Sequence, residues 1–270
     1  MPTNRAKYPD HNDTTLEEEM FKRLAQVSDK IKSKYSYLPI FWTTYFVRNY
    51  FASDPVAMRR LTEFVDRIKE PWFTISQYDD GIVMGDKIKT EHISMSAGGY
   101  GDVWLPLTCN PRHEDTVRLP TKYKASFVGS FQTYKWRTGF AEKLKSVEGF
   151  FIHDSSAGGP DIFEKTMLES EFALCPRGYG RTSFRLYEAM QMGTIPIYIS
   201  DHHILPFEKY IDWGEFCVLV SMDDVEKIPS MISVLSEGPI RKMSYTCRQV
   251  WKEYFSYEAC AKMIIKILEE

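Results

Sequence analysis

The stretch EFALCPRGYGRTSFRLYEAMQMGTIPIYIS, residues 171–200, restricts the possible folds more than any other. It reads as an apolar run, a loop with two glycines, a helical segment stopped at Gly193, and a second apolar run rich in isoleucine. Strands joined through a helix pair in parallel. The loop over residues 176–183 therefore leaves the carboxyl end of a strand, the edge at which open α/β sheets take ligands.

The same alternation extends from residue 123 to the C-terminus. YKASFVGS reads as a strand running into a glycine turn, and WRTGFAEKLKSVEG as a helix closed by Gly149. FFIHDSS is a strand, DIFEKTMLES a helix, FCVLVS a last strand, and two further helices end the chain. This is the pattern of a doubly wound parallel sheet. The first hundred residues are a second α/β lobe. Residues 14–34 predict a polar helix opened by Thr14 or Thr15, and 38–47, apolar and aromatic, a buried strand. Asp54 and Pro55 mark the cap and first residue of a helix. PWFTISQYDDG predicts a strand ending at Asp79 and Asp80, and residues 92–107 two short strands around a glycine-rich turn. Residues 110–122 are polar, carry two prolines and read as a linker. The expectation is two Rossmann-like lobes with parallel sheets and a cleft between them, over residues 1–112 and 120–270, with the last helix able to pack back on the first lobe.

Arginines at 177, 181 and 185 load the junction between the loop and its helix. With Thr182 as N-cap, Arg185 falls at the third helical position, where Glu or Gln is favoured. A cation there costs a few tenths to about 1 kcal/mol against the helix dipole. A bound anion would turn that repulsion into attraction. Gly178 and Gly180 would let the backbone approach the anion, and Ser183 could donate its hydroxyl. Glu188 follows Arg185 by three residues on the same helix face, placed to accept from a ribose diol next to a diphosphate. The alternative is a plain ion pair between Arg185 and Glu188, with Arg177 and Arg181 as solvated loop charges.

The bulk chemistry excludes other classes. A net charge of −3 and a pI near 6.1 argue against nucleic acid as a partner. No apolar run reaches the roughly 20 residues of a spanning helix, and the N-terminal residues lack the apolar core of a leader, so a soluble, cytoplasmic protein is expected. Five widely spaced cysteines read as reduced, buried thiols. Asn12 opens a glycosylation sequon that would then stay unmodified.

SEFALCPRGYGRTSFRLYEAMQMGTIPIYISD, followed by LPFEKYIDWGEF, resembles the C-terminal lobe of the exostosin-like glycosyltransferases; the similarity is close over residues 170–216 and looser over 123–137. The first lobe matches only in outline, through GDVWLPL. The resemblance implies a GT-B fold and inverting transfer from a uridine diphosphate sugar to a glycan acceptor, with an N-terminal acceptor-side lobe and a C-terminal nucleotide-sugar lobe. It implies diphosphate contacts from Arg181, Ser183 and Arg185, a ribose contact from Glu188, and a second arginine near the phosphates at Arg137. Gly178, Gly180 and Thr182 complete the expected donor site. The chain is also similar to virus- or microbe-encoded members of the family that lack an anchor, which implies xylose as the donor sugar.

No Asp-x-Asp pair occurs, so no metal is expected, no cofactor beyond the donor itself, and arginines with helix-end amides should stabilise the leaving diphosphate. Inverting transfer needs a base within reach of the acceptor hydroxyl. Asp79, with Asp80 as alternate, is the candidate; DDG can equally be a simple β-turn. His153 and Asp154 end a strand in the second lobe, nearer the nucleotide base. The segment SAGGYGD, residues 96–102, is an acceptor loop or a plain connection. Tyr100, Trp42 and Trp72 are candidates for stacking on sugars, with burial in the core the alternative, and Trp213 is expected in the core. A competing reading is a catalytically inactive relative that binds nucleotide or glycan.

Overall fold

The computed structural model describes residues 15–84, 88–109, 117–156 and 162–270. The sequon at Asn12 and the first part of the expected linker, residues 110–116, lie outside the described residues. Two compact units make up the chain, Met1–Asn110 with Ser256–Glu270, and Pro111–Phe255. Each is α/β and each is built on a wholly parallel sheet.

In the first unit the strands β1 (Ser36–Tyr37), β2 (Trp72–Ser76), β3 (His92–Ser96) and β4 (Val103–Trp104) lie in sequence order. The expected helix over 14–34 is shorter. α1 spans Leu16–Leu24 behind a full capping box between Thr15 and Glu18. Beyond it the chain is mostly exposed and forms only a 3-10 turn, because no apolar face remains to hold a helix down.

The strand expected at 38–47 is instead α2 (Trp42–Arg48). A continuous apolar run has no period of its own, and its partners decide the conformation. Helical spacing buries Trp42 and Phe46 together. Trp42 Nε1 donates to Thr74 Oγ1 at 2.8 Å, and Thr43 donates to the Glu17 carboxyl. α3 (Pro55–Val65) starts as read, with Asp54 accepting from the amides of Val56 and Ala57. The last helix, α9 (Tyr257–Glu269), belongs to this unit.

β2 stops at Ser76, so Asp79 and Asp80 do not end a strand. They are the central residues of a turn in which Gly81, at φ +66°, donates to the Tyr78 carbonyl at 2.9 Å. The glycine-rich segment after β3 is a tight connection packed beneath that turn. A Cβ on Gly98 would stand 2.5 Å from the Asp79 carbonyl oxygen.

Glu17 is the one carboxyl buried to 1% exposure among the described residues. It accepts from the Gln77 amide at 2.9 Å and from the Thr43 hydroxyl at 2.8 Å, tying α1 to the start of α2 and to the carboxyl end of β2. Burial, against those hydrogen bonds, pushes its pKa up to about 7. The folded carboxyl therefore holds its proton more tightly than the unfolded one. Stability is full below the ordinary carboxyl value of 4.5 and is lost as pH rises towards 7. Glu17→Gln should flatten this loss, which amounts to at most about 3 kcal/mol. Urea unfolding between pH 4.5 and 8 checks it, and an unchanged slope in the variant would assign the pH dependence elsewhere.

In the second unit, β5 (Tyr123–Gly129), β6 (Phe150–Asp154), β7 (Ser170–Pro176), β8 (Ile195–Ser200) and β9 (Val218–Ser221) are ordered β6-β5-β7-β8-β9. The helices are α4 (Trp136–Leu144), α5 (Phe163–Leu168), α6 (Phe184–Met192), α7 (Ile228–Ser233) and α8 (Glu237–Val250). α4 ends before Gly149, which at φ +77° turns the chain into β6 instead. Gly193 does cap α6, in the left-handed conformation. Phe127, Phe140, Phe172, Ile195 and Ile197 form the centre of the core.

The connections leave β5 to one side for β6 and then to the other for β7. The strand order therefore reverses between β5 and β7, and the carboxyl edge there is the topological switch point of the sheet.

Candidate functional site

Both βα connections flanking that switch point place an arginine at the second residue of the helix that follows. Arg137 is second in α4 and Arg185 second in α6. The expected cap at Thr182 is corrected by one residue: Ser183 is the N-cap, with extended backbone and no capping bond from its hydroxyl. Thr182 is buried, and its carbonyl accepts from the Gly178 amide at 3.2 Å, closing the loop.

The two guanidiniums share one aromatic ring. Phe127, in β5, lies 5.5 Å from Arg137 Cζ and 4.3 Å from Arg185 Cζ, centroid to cation. Arg137 donates to the carbonyls of Arg177, Ser130 and Pro176 at 3.0, 3.1 and 3.0 Å. Arg185 donates through Nη2 to the Val128 carbonyl, and its Nε has no acceptor among the described residues. A guanidinium carries five N–H donors, so both retain donors beyond these bonds.

Arg137 is 6% exposed and Arg185 9%. Their partners are carbonyl dipoles; neither contacts a carboxylate among the described residues. Burial first, and then the charge of Arg185, pulls the pKa of Arg137 down to about 9. Burial lowers Arg185 too, opposed by Cys175 and Glu188. Taking a charge out of water costs several kcal/mol even after relaxation. Two buried cations on neighbouring strand ends thus form a site with stored electrostatic demand for an anion. The amino ends of α4 and α6 point the same way in charge.

Other expected residues sort around this pair. Arg177 is removed from the anion-binding set, because its Nη1 donates to both Asp201 carboxylate oxygens at 2.9 and 3.1 Å and its guanidinium stacks over Tyr134. Its Nε also binds the Gly180 carbonyl at 3.1 Å, which fixes the loop. Arg181 is half-buried. Glu188 is half-buried one turn into α6. Gly178 lies 3.8 Å, by its would-be Cβ, from Arg137 Nη2. His153 and Asp154 end β6 as read, and Asp154 Oδ1 accepts from the amides of Phe131 and Ser156. Trp42 and Trp72 are fully buried in the core of the first unit, which corrects their candidacy as stacking platforms. Trp213 is a core residue, as expected, and all five cysteines are buried and free.

Sequence reading missed Phe127 and Gly129. Gly129 ends β5 directly under Arg185, and a Cβ there would stand 2.5 Å from Nη2. The available signal was the repeated spacing: an arginine follows the β5 and β7 strand ends by a similar interval, at the second position of a helix each time.

The family model of the exostosin GT47 domain matches residues 99–235, which contain this whole constellation. The chain belongs to the exostosin GT47 family. Among curated relatives of this exostosin chain, a probable glucuronosyltransferase of Oryza sativa subsp. japonica is 35% identical over 166 residues, 57% of this chain and 39% of its own length. The exostosin-1 homolog of Caenorhabditis elegans is 30% identical over 107 residues, 39% of this chain and 28% of its own. The matched region thus spans well under half of the relatives' length. Among solved structures, TarM is similar at a TM-score of 0.49 and 9% identity, over 80% of this chain and 46% of that one. Pneumococcal GtfA, solved with UDP and GlcNAc, is similar at 0.43 and 11%, over 79% and 47%. No helix among the described residues is long and apolar enough to cross a membrane.

Two glycine substitutions separate packing around the cation pair from general stability. Gly129→Ala should cost about 1–3 kcal/mol by forcing a methyl into the guanidinium. Gly139→Ala, inside α4 with nothing within 4 Å of the new methyl, should add about 0.5–1 kcal/mol through helix propensity. Urea titration reads both, and equal effects would mean the Arg185 contact imposes no constraint.

Proposed function

We propose that this chain is a glycosyltransferase that binds a uridine diphosphate sugar at Arg137 and Arg185 and transfers the sugar to a glycan hydroxyl. The observation that carries the reading is the pair of buried guanidiniums without a contacting carboxylate, at the switch point of a parallel sheet, in a chain of the exostosin family. A diphosphate satisfies that demand: it brings the missing negative charge and enough oxygens for the unused donors. Arg181 and the Ser183 hydroxyl contact the same diphosphate. Gly178, Gly180 and Thr182 shape the loop that admits it, and Glu188 accepts from the ribose diol.

Transfer in this reading inverts the anomeric centre. The acceptor oxygen attacks C1, its proton passes to a carboxylate, and the C1–O bond to the diphosphate breaks. The proton acceptor is Asp79 or its neighbour Asp80, in the turn after β2. The cation pair and helix ends take up the charge of the departing diphosphate without a metal ion. Xylose is the sugar carried.

UDP at about 100 times its dissociation constant should add roughly 2.7 kcal/mol of stability, a shift of about 5–10 °C. Arg185→Met should leave the stability of the free protein unchanged or raise it, since an unpaired buried charge is removed. The same substitution should abolish the shift with UDP, and full retention of UDP affinity would remove the anion site. Asp79→Asn should stop UDP release in the presence of acceptor while UDP still binds; an active variant moves the base elsewhere. Chelator should change neither binding nor turnover, and loss of turnover would require a metal ion.

A further inference from the structure

Arg177 is withdrawn from the anion contacts by its carboxylate partner, and it shapes the donor loop instead. Arg177 and Asp201 are each the first residue beyond a strand, β7 and β8, which are neighbours in the sheet. The Arg177 amide donates to the Ile199 carbonyl at 3.2 Å, and its Nη1 to both Asp201 carboxylate oxygens, so the ion pair bridges the two strand ends. The Tyr134 ring, 4.7 Å from Cζ, covers one face of the guanidinium. The Arg177 side chain is 10% exposed, against 37% for Asp201.

Held in this way, the guanidinium collects two successive carbonyls of the loop. Nη2 donates to Tyr179 at 2.8 Å and Nε to Gly180 at 3.1 Å. Both peptides are trans, and a trans peptide carries its N–H opposite its C=O. Drawing the two carbonyls to Arg177 therefore turns the amides of Gly180 and Arg181 to the other side. Gly180 is buried, and its amide has no acceptor among the described residues. Buried amides without a partner are rare, and successive amides turned to one side form a concavity that takes anions. The Arg177 carbonyl in turn accepts from Arg137 Nε at 3.0 Å, which joins the loop to the buried cation pair.

We infer that Arg177 and Asp201 are positioning residues for the donor. Asp201 fixes the guanidinium, the guanidinium turns the two peptides, and the Gly180 and Arg181 amides meet the diphosphate. The inference rests on the uridine diphosphate sugar reading. Charge alone predicts the opposite role for Asp201: a carboxylate beside the site repels an anion, so its removal would tighten binding. Lysine does not replace Arg177, because one ammonium on a flexible stem lacks the rigid fork that serves a carboxylate and two carbonyls together.

UDP is the probe, titrated by calorimetry into the full chain, with thermal unfolding of each ligand-free variant alongside. Asp201→Asn and Arg177→Lys should each weaken UDP binding tenfold or more, with the ligand-free Tm unchanged. Should Arg177→Lys fail to fold, Asp201→Asn, at an exposed side chain, decides alone. UDP affinity that is unchanged or tighter in Asp201→Asn overturns the positioning role, and so does a weakening accompanied by a fall in Tm. Absence of UDP binding by the unaltered chain would instead overturn the donor reading, so the two failures are distinguishable.

Discussion

The architecture of the second unit turns on two guanidiniums that have dipoles and a ring for company, not a carboxylate. Arg137 ties the loop after β5 to the end of β7 through three carbonyls, so the two strands at the switch point are clamped by the cation that also charges it. Arg185 repeats the device from the other side, reaching back to the β5 carbonyl at Val128. Phe127 supports both. A carboxylate in this place would make the unit more self-sufficient and would also quench the site. The site's charge is kept available at the cost of native-state stability, which is why removing Arg185 is expected to separate stability from binding.

At the other end of α6 the arrangement is reversed in sign and conventional. Arg248 Nη2 donates to the Met192 carbonyl at 2.8 Å, where cations suit the helix dipole, and Arg118 binds the Met167 and Ser170 carbonyls next to it. The contrast shows that arginine burial alone is not the signal of a site in this chain. Arginine at a helix carboxyl end complements the dipole; arginine at an amino end adds a second positive charge where the dipole already has one.

That distinction explains what was legible in the sequence. Arg185 stood out because it broke a local rule, and Arg137 entered through family resemblance although it breaks the same rule two strands earlier. Gly193, Asp54 and Pro55 follow capping chemistry and were readable one residue at a time. The cap of α6 was misplaced from Ser183 to Thr182, since both are cap-forming residues and only the backbone decides between them. Arg177 could not be resolved, because its partner Asp201 lies 24 residues away across β8. The run at 38–47 failed for a similar reason. Its conformation is set by Thr74 and Glu17, and an unbroken apolar stretch carries no period to reveal that.

The turn at Asp79 and Asp80 shows how residues can lie at the expected edge in a different element. Both carboxylates follow the carboxyl end of β2, but they are carried by a turn packed on Gly98 rather than by the strand. Behind them Glu17 accepts from the Gln77 amide, fixing the residue that leads into the turn. As pH rises towards 7 the buried Glu17 carboxyl ionises, which strengthens that acceptor while burying a charge at a cost to the stability of the first unit. The residue that leads into the turn and the pH dependence of the first unit's stability thus rest on one buried group, while the turn itself packs on Gly98.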